Sequence, residues 1–139
     1  SNGQCFASYL DELRKDVELL QEEQNLQEIC SQLIEALSLV EETGEWLLLK
    51  IKAGEFEEAL SGATPFLQLM GLAIGAVYLA KLGAYKKTSN QDEQAINEQL
   101  NLASYFAQNH LPECAALKNT ILHGAPSLLD AMQTLKTST

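Results

Sequence analysis

Residues that interrupt or cross-link a chain are scarce in this sequence. Proline occupies three of 139 positions, so long stretches have no breaker, and with 46% hydrophobic residues the composition is too apolar for a disordered segment. Cysteine also occurs three times, at Cys5, Cys30 and Cys114. An odd set spread over the whole length argues against a disulfide frame and fits reduced thiols in a cytoplasmic protein, each acting as a small core residue. No run alternates apolar and polar residues as a half-buried strand does. Signal peptide, internal repeat and low-complexity tract are all missing. The chain opens Ser1-Asn2-Gly3 without an initiating Met, which reads as a piece of a longer protein: residues 1–3 as a cloning scar, 4–139 as a single domain.

Basic residues are few as well. The net charge of −10 is concentrated: residues 1–62 carry 14 acids against 4 bases, whereas 63–139 carry 5 of each. An acidic face repels phosphate backbones and anionic lipid, which disfavours nucleic acid and acidic membranes as partners. Binding of a nucleotide's phosphates is disfavoured on the same ground. Arg14 is the only Arg, and just Lys81, Lys86 and Lys87 could gather around phosphates.

What the sequence does have is helical periodicity. Phe6, Leu10, Leu13, Val17 and Leu20 step by four and three, the stripe of a first helix. QEEQN at 21–25 breaks it. A second stripe follows at Leu26, Cys30, Leu33, Leu37, Val40, Gly44, Leu47 and Ile51. This coiled-coil-like seam predicts antiparallel neighbours crossing at about 20°, with Gly44 letting one come close. AGEFEEALSGA at 53–63, with Gly near each end, reads as a linker holding a short helical piece. Thr64 is then the cap and Pro65 the first residue of a third helix, ending around Lys86 and Lys87.

That third helix, PFLQLMGLAIGAVYLAK onward, raises the question of a membrane span. Its uninterrupted part, Leu69 to Ala80, is shorter than the roughly 20 apolar residues a span needs, so the expectation is a buried bundle helix and no transmembrane segment. Gln68 and Lys81 project from opposite sides and leave no wet stripe, which predicts burial all round. Gly71 and Gly75, one turn apart, would admit another helix. Ser89 or Asn90 caps a fourth helix with the stripe Ile96, Leu100, Ala103, Ala107, Leu111, Cys114, Leu117 and Ile121, kinked at Pro112 and stopped at Gly124. Pro126 opens a short last helix. The architecture expected is all-α: four long helices in an antiparallel bundle plus a short C-terminal one.

Signals for chemistry are weak. A di-metal carboxylate bundle needs Glu-x-x-His pairs, and neither His110 nor His123 has an acid three residues before it. His110 and Cys114, one turn apart, supply two ligands where a structural zinc wants four; His110 reads instead as a histidine hydrogen-bonded at the Pro112 kink. No oxyanion motif or phosphate-cradling Gly loop accompanies Cys114. Glu41, Glu42 and Glu45 fall on the wet side. No catalytic, cofactor-binding or metal residue is assigned, and Trp46, Tyr78, Tyr85, Tyr105 and Phe106 read as core or interface.

PFLQLMGLAIGAVYLAK, then ASYFAQNHLPECAAL and HGAPSLL, resembles the C-terminal extra domain that follows the flavin-binding core in a subset of bacterial acyl-CoA dehydrogenases (acetyl-CoA dehydrogenase C-terminal-like). The matching positions are Phe66, Leu67, Leu69, Gly71, Gly75 and Tyr78, then Ala103, Tyr105, Phe106, Ala107, His110, Leu111 and Pro112, and last Gly124 and Ala125. Tyr78 stands where the family often has Trp. These are packing motifs, so they speak for shared fold first. The resemblance implies a parent that is FAD-dependent and oxidises acyl-CoA to enoyl-CoA, passing electrons to an electron-transfer flavoprotein, with the catalytic glutamate and the flavin in an upstream core. This chain would be a non-catalytic domain without a cofactor of its own, packing on that core or at a subunit interface. Gly44, Trp46, Phe66, Gly71, Gly75, Tyr78, Tyr105, Phe106, His110 and Pro112 are the packing or interface candidates. The alternative is a free-standing interaction module, a homo-oligomer pairing through the seam of the second helix.

Overall fold

The computed structural model describes residues 2–89 and 91–137. Ser1 of the expected scar and Asn90, one of the two expected caps, lie outside the described residues. Among the described residues there are five α-helices, α1 (Asn2–Leu20), α2 (Gln27–Lys52), α3 (Phe56–Thr88), α4 (Glu93–His110) and α5 (Glu113–Thr137), with one 3-10 turn at Gln24–Leu26 between the first two. No strand occurs among the described residues, as expected for an all-α bundle.

The first two stripes pack as their spacing predicts, except that Ile51 at the end of the second is exposed. Leu10, Leu13, Val17 and Leu20 of α1 are buried, and so is the α2 seam from Cys30 through Leu33, Leu37 and Val40 to Gly44 and Leu47. The two helices run antiparallel: Phe6 lies against Gly44 near one end, and the Cys30 thiol donates to the Val17 carbonyl at 3.7 Å near the other. Since the seam is consumed inside the domain, a homo-oligomer has to use another face.

α2 ends in a Schellman turn. Gly54 takes a positive φ of 77°, the Glu55 N–H donates to the Lys50 carbonyl at 2.9 Å and the Gly54 N–H to the Ile51 carbonyl at 3.0 Å. A residue in the left-handed region two bonds from the last helical carbonyls is the C-terminal cap that glycine makes easy.

Four boundaries depart from the sequence reading. α3 starts at Phe56 rather than Pro65, so 53–63 is not a linker and Pro65 sits inside the helix. An interior proline costs about 3 kcal/mol, and here the turn before it is pinned: Ala59 and Gly62 are buried, and a Cβ on Gly62 would meet Leu47 at 3.1 Å and Ile121 at 3.3 Å. Pro112, in contrast, separates two helices. α4 ends at His110, and the Cys114 N–H bonds back to the Leu111 carbonyl at 3.0 Å. Leu111 and Cys114 both stay buried across the break, which is why one apolar stripe spans two helices. The expected stop at Gly124 and restart at Pro126 fall inside α5, which runs on to Thr137 because extending a seated helix is easier than nucleating a new one. Asp92, not Ser89, occupies the cap position of α4.

α3 is the axis of the bundle and packs against each of the other four α-helices. Its α5 contact runs antiparallel, from Gly71 and Leu72 beside Glu113 and Leu117 to Gly62 beside Ile121. α4 closes on the far end, where Leu100 meets Gly83 and the Gln99 side-chain amide donates to the Leu79 carbonyl at 3.3 Å.

Candidate functional site

α3 has two opposite stripes. Ala59, Gly62, Leu69, Ala73, Ala76, Ala80 and Gly83 face the bundle and are buried. Half a turn away, Leu60, Leu67, Gly71, Tyr78, Leu82 and Tyr85 are exposed. The expectation of burial all round is therefore corrected: the fully buried face is mostly alanine and glycine with Leu69 and Val77, while Phe66, Met70, Leu72, Ile74 and Leu79 pack partly buried beside it and Leu60, Leu67, Tyr78, Leu82 and Tyr85 point out. Small residues inside let four helices crowd around one axis. They also leave the bulk of the helix's hydrophobicity unburied, and α3 is long and apolar enough to cross a membrane, with a mean hydropathy of 1.5 over its best window.

Gly71 and Gly75 sit on the outer side, and a Cβ on either would meet nothing within 4 Å. No side chain or backbone of the domain packs onto that side of them, contrary to a close contact inside the bundle. The close contacts belong to Gly44, where a Cβ would lie 2.9 Å from Phe6 and 3.4 Å from Phe66, and to Gly83, 2.8 Å from Leu100. Phe6 and Phe66 meet edge to face at 6.4 Å over Gly44. Gly83 escaped the sequence reading because it looked like one more small residue near the helix end. Its place on the stripe 69, 73, 76, 80, 83 was the available signal.

The outer stripe is flanked by α1 and α5. On the α1 side the hydroxyls of Tyr9 and Tyr78 are 3.0 Å apart, and Lys81 reaches Asp16 at 2.7 Å with its ammonium 5.2 Å from the Tyr78 ring. The shared hydrogen bond with Tyr78, followed by burial, pushes the Tyr9 phenol up to about 12. On the α5 side Gln68, Gly71, Leu72, Glu113, Leu117 and Thr120 line an open groove of about 590 Å³. That groove offers a carboxylate and no cation, so its residues do not fit the diphosphate of FAD or CoA.

The remaining candidates are scattered. Trp46 is half-buried with the Lys50 ammonium 5.3 Å from its ring. His110 sits where α4 gives way to α5, stacked 4.9 Å from Phe106 and 6.2 Å from the exposed Tyr105, with Nδ1 3.3 Å from Glu113. Pro112 is exposed beside it. Burial, with the nearby Glu113 charge second, pushes the Cys114 thiol up to about 11, so the thiolate a nucleophile needs is suppressed at neutral pH. Cys30 is raised by burial too and donates at 3.2 Å to the Leu26 carbonyl. Cys5 is exposed, against the expectation of a core residue. Among the described residues no group of three His, Cys, Asp or Glu is arranged to hold a metal.

Of the acids read as a solvated face, Glu42 and Glu45 are exposed, and several acids also tie segments together. Arg14 of α1 pairs with Glu41 of α2 and, at 2.7 Å, with Asp11. Lys118 of α5 pairs with Glu42 of α2, and Lys87 of α3 with Glu23 at 2.9 Å. Lys50 holds Glu55 at 2.7 Å and Glu58 at 3.0 Å across the α2–α3 turn. Of the three acids singled out in α2, only Glu45 is exposed and outside these pairs.

Compared with known proteins, the chain matches the family described as acetyl-CoA dehydrogenase C-terminal like over residues 9–132. No curated protein matches, and no solved structure does.

Proposed function

Since the chain belongs to the acetyl-CoA dehydrogenase C-terminal-like family, we propose that it is the non-catalytic helical domain of a FAD-dependent acyl-CoA dehydrogenase. The parent oxidises acyl-CoA to enoyl-CoA in the cytoplasm, with flavin and catalytic base in its upstream core. The domain packs on that core or at a subunit interface. Neither nucleic acid nor a membrane is its partner, a reading supported by the acid excess of the first 62 residues.

One observation carries this reading: α3 keeps alanine and glycine inside and exposes Tyr78, Leu82 and Tyr85 along one line with the uncovered Gly71. A soluble domain gains nothing from aromatic and leucine side chains left in water, whereas an interface buries them for roughly 25 cal/mol per Å². Glycine beside them admits a partner backbone closely. α3 is accordingly the shared axis of two packings, the bundle on one side and the catalytic core on the other, and not a membrane span.

The test mixes this domain with the separately expressed catalytic core and follows complex formation by light scattering alongside turnover of acyl-CoA. A complex that alters turnover or chain-length preference, and that Leu82→Asp with Tyr85→Ala dissolves, is the expected result. Two proteins that ignore each other, or a complex indifferent to those substitutions, would overturn the reading.

A further inference from the structure

A second stretch of apolar surface lies at the α2–α3 hairpin, on the same stripe of α3 as Tyr78 and Tyr85 but toward its N-terminal end. Gly44, Leu48 and Ile51 descend one side of it at helical spacing, and Phe56, Leu60 and Leu67 rise on the other, lining a trough of about 490 Å³. Leu60 is 74% exposed and Leu67 64%. One such leucine is ordinary on a protein surface. Two parallel stripes, closed at one end where Phe6 and Phe66 cover Gly44, form a seat for a third helix.

The rim decides what kind of helix. Residues 41–58 hold six acids and two bases; Glu41 and Glu42 are paired with Arg14 and Lys118, and Lys50 with Glu55 and Glu58, which leaves the exposed Glu45 and Glu57 against one exposed cation, Lys52. Glu45 stands one turn before Leu48, and Glu57 adjoins Phe56; both are exposed. A second copy of the chain would bring a net charge of −10 and the same acidic rim against this one, and like charges across an interface repel. An anionic lipid surface is repelled for the same reason.

We propose that this trough docks an amphipathic helix whose apolar stripe is flanked by lysine or arginine side chains. Its apolar residues fill the space between Leu60 and Ile51, and its cations meet Glu45 and Glu57 on either bank. The inference is independent of the family reading, because docking here uses none of Tyr78, Leu82 and Tyr85.

The experiment titrates the full chain into a fluorescein-labelled synthetic helix of about 18 residues, long enough for roughly five turns, carrying a leucine stripe flanked by lysines, at about 0.15 M salt. A second peptide has the same stripe flanked by glutamates. The expected result is saturable anisotropy for the lysine peptide and at least a tenfold weaker response for the glutamate one. Leu60→Asp keeps the helical circular dichroism, its side chain being mostly in water, and adds a negative charge. Mere electrostatic adhesion would hold or tighten with that variant; docking in the trough weakens by about tenfold or more. Equal binding of both peptides, or binding that Leu60→Asp leaves unchanged or tightens, overturns the proposal. So does sedimentation showing a homodimer that Leu60→Asp dissociates, or anionic vesicles that capture the wild type.

Discussion

The glycines of α3 make opposite predictions from one helix. Glycine in a helix interior is less stable than alanine by about 0.5–1 kcal/mol, through backbone entropy alone. At Gly71 and Gly75 an added Cβ touches nothing within 4 Å, so the double change Gly71→Ala, Gly75→Ala should stabilise the isolated domain by about 1–2 kcal/mol. For a chain of 139 residues that is a rise in Tm of roughly 4–8 °C. Gly83→Ala gains the same helix term, but its Cβ would sit 2.8 Å from Leu100 Cδ2 and 3.4 Å from Cγ. Leu100 is buried at 2% exposure, and overpacking of this kind costs about 1–3 kcal/mol. The net is a loss of up to about 2 kcal/mol. Thermal and urea unfolding followed by circular dichroism measure both, with an unchanged urea m-value as the check that stability alone moved. A double variant that unfolds earlier than wild type would mean that something inside the domain needs those glycines. A Gly83→Ala variant as stable as the double one would mean that α4 does not press on α3. Binding to the catalytic core supplies the second readout: the stabilised double variant should dock less tightly, since two methyl groups now occupy the approach.

Other outcomes follow from single groups. With a thiol reagent at pH 7.5, Cys5 should react at once and Cys30 and Cys114 only on unfolding, because burial raises both thiols and Cys114 lies near 11; a fast second equivalent contradicts this. The Tyr9 phenol has a folded value of about 12 against 10.0 ordinarily, so its contribution is complete below pH 10 and is lost as pH rises from 10 to 12. Urea midpoints should fall over that window, and Tyr78→Phe should flatten the fall. Gly54→Ala should cost about 1–2 kcal/mol by forcing a Cβ into the left-handed region at φ 77°, an effect read directly from the shift in Tm.

Much of the architecture was legible because it rests on period. The stripes of α1 and α2 were readable residue by residue, since each buries large side chains at steps of three and four. Punctuation was less readable. A proline's cost is fixed locally, but whether the helix tolerates it depends on neighbours: Pro65 is carried through by Gly62 seated against Leu47 and Ile121, while Pro112 ends a helix although Leu111 and Cys114 on either side stay buried. The candidate surface was half legible. Hydrophobicity marked α3, yet which side faces in turns on the size of the apolar residues, and a reading that weighs alanine with leucine as simply apolar sees burial everywhere. Charge was legible as exposure, since Glu42 and Glu45 do face water, but the partners that reach Glu41 and Glu42, Arg14 and Lys118, lie too far away in sequence to be read.

Those distant pairs have a consequence for how the bundle finds its alignment. A helix whose contact face is mostly alanine and glycine is smooth, and smooth rods packed side by side can slip by a turn with little change in buried area. Arg14 to Glu41, Lys81 to Asp16, Lys87 to Glu23 and Lys118 to Glu42 join different segments, each at one position along the axis. Individually such pairs contribute about 0–1 kcal/mol, yet a slipped arrangement forfeits several together. They act as notches on the rods. Replacing these four cations with glutamine should leave the helix content intact while broadening the methyl NMR signals of Leu69 and Val77, as α3 begins to sample neighbouring stops.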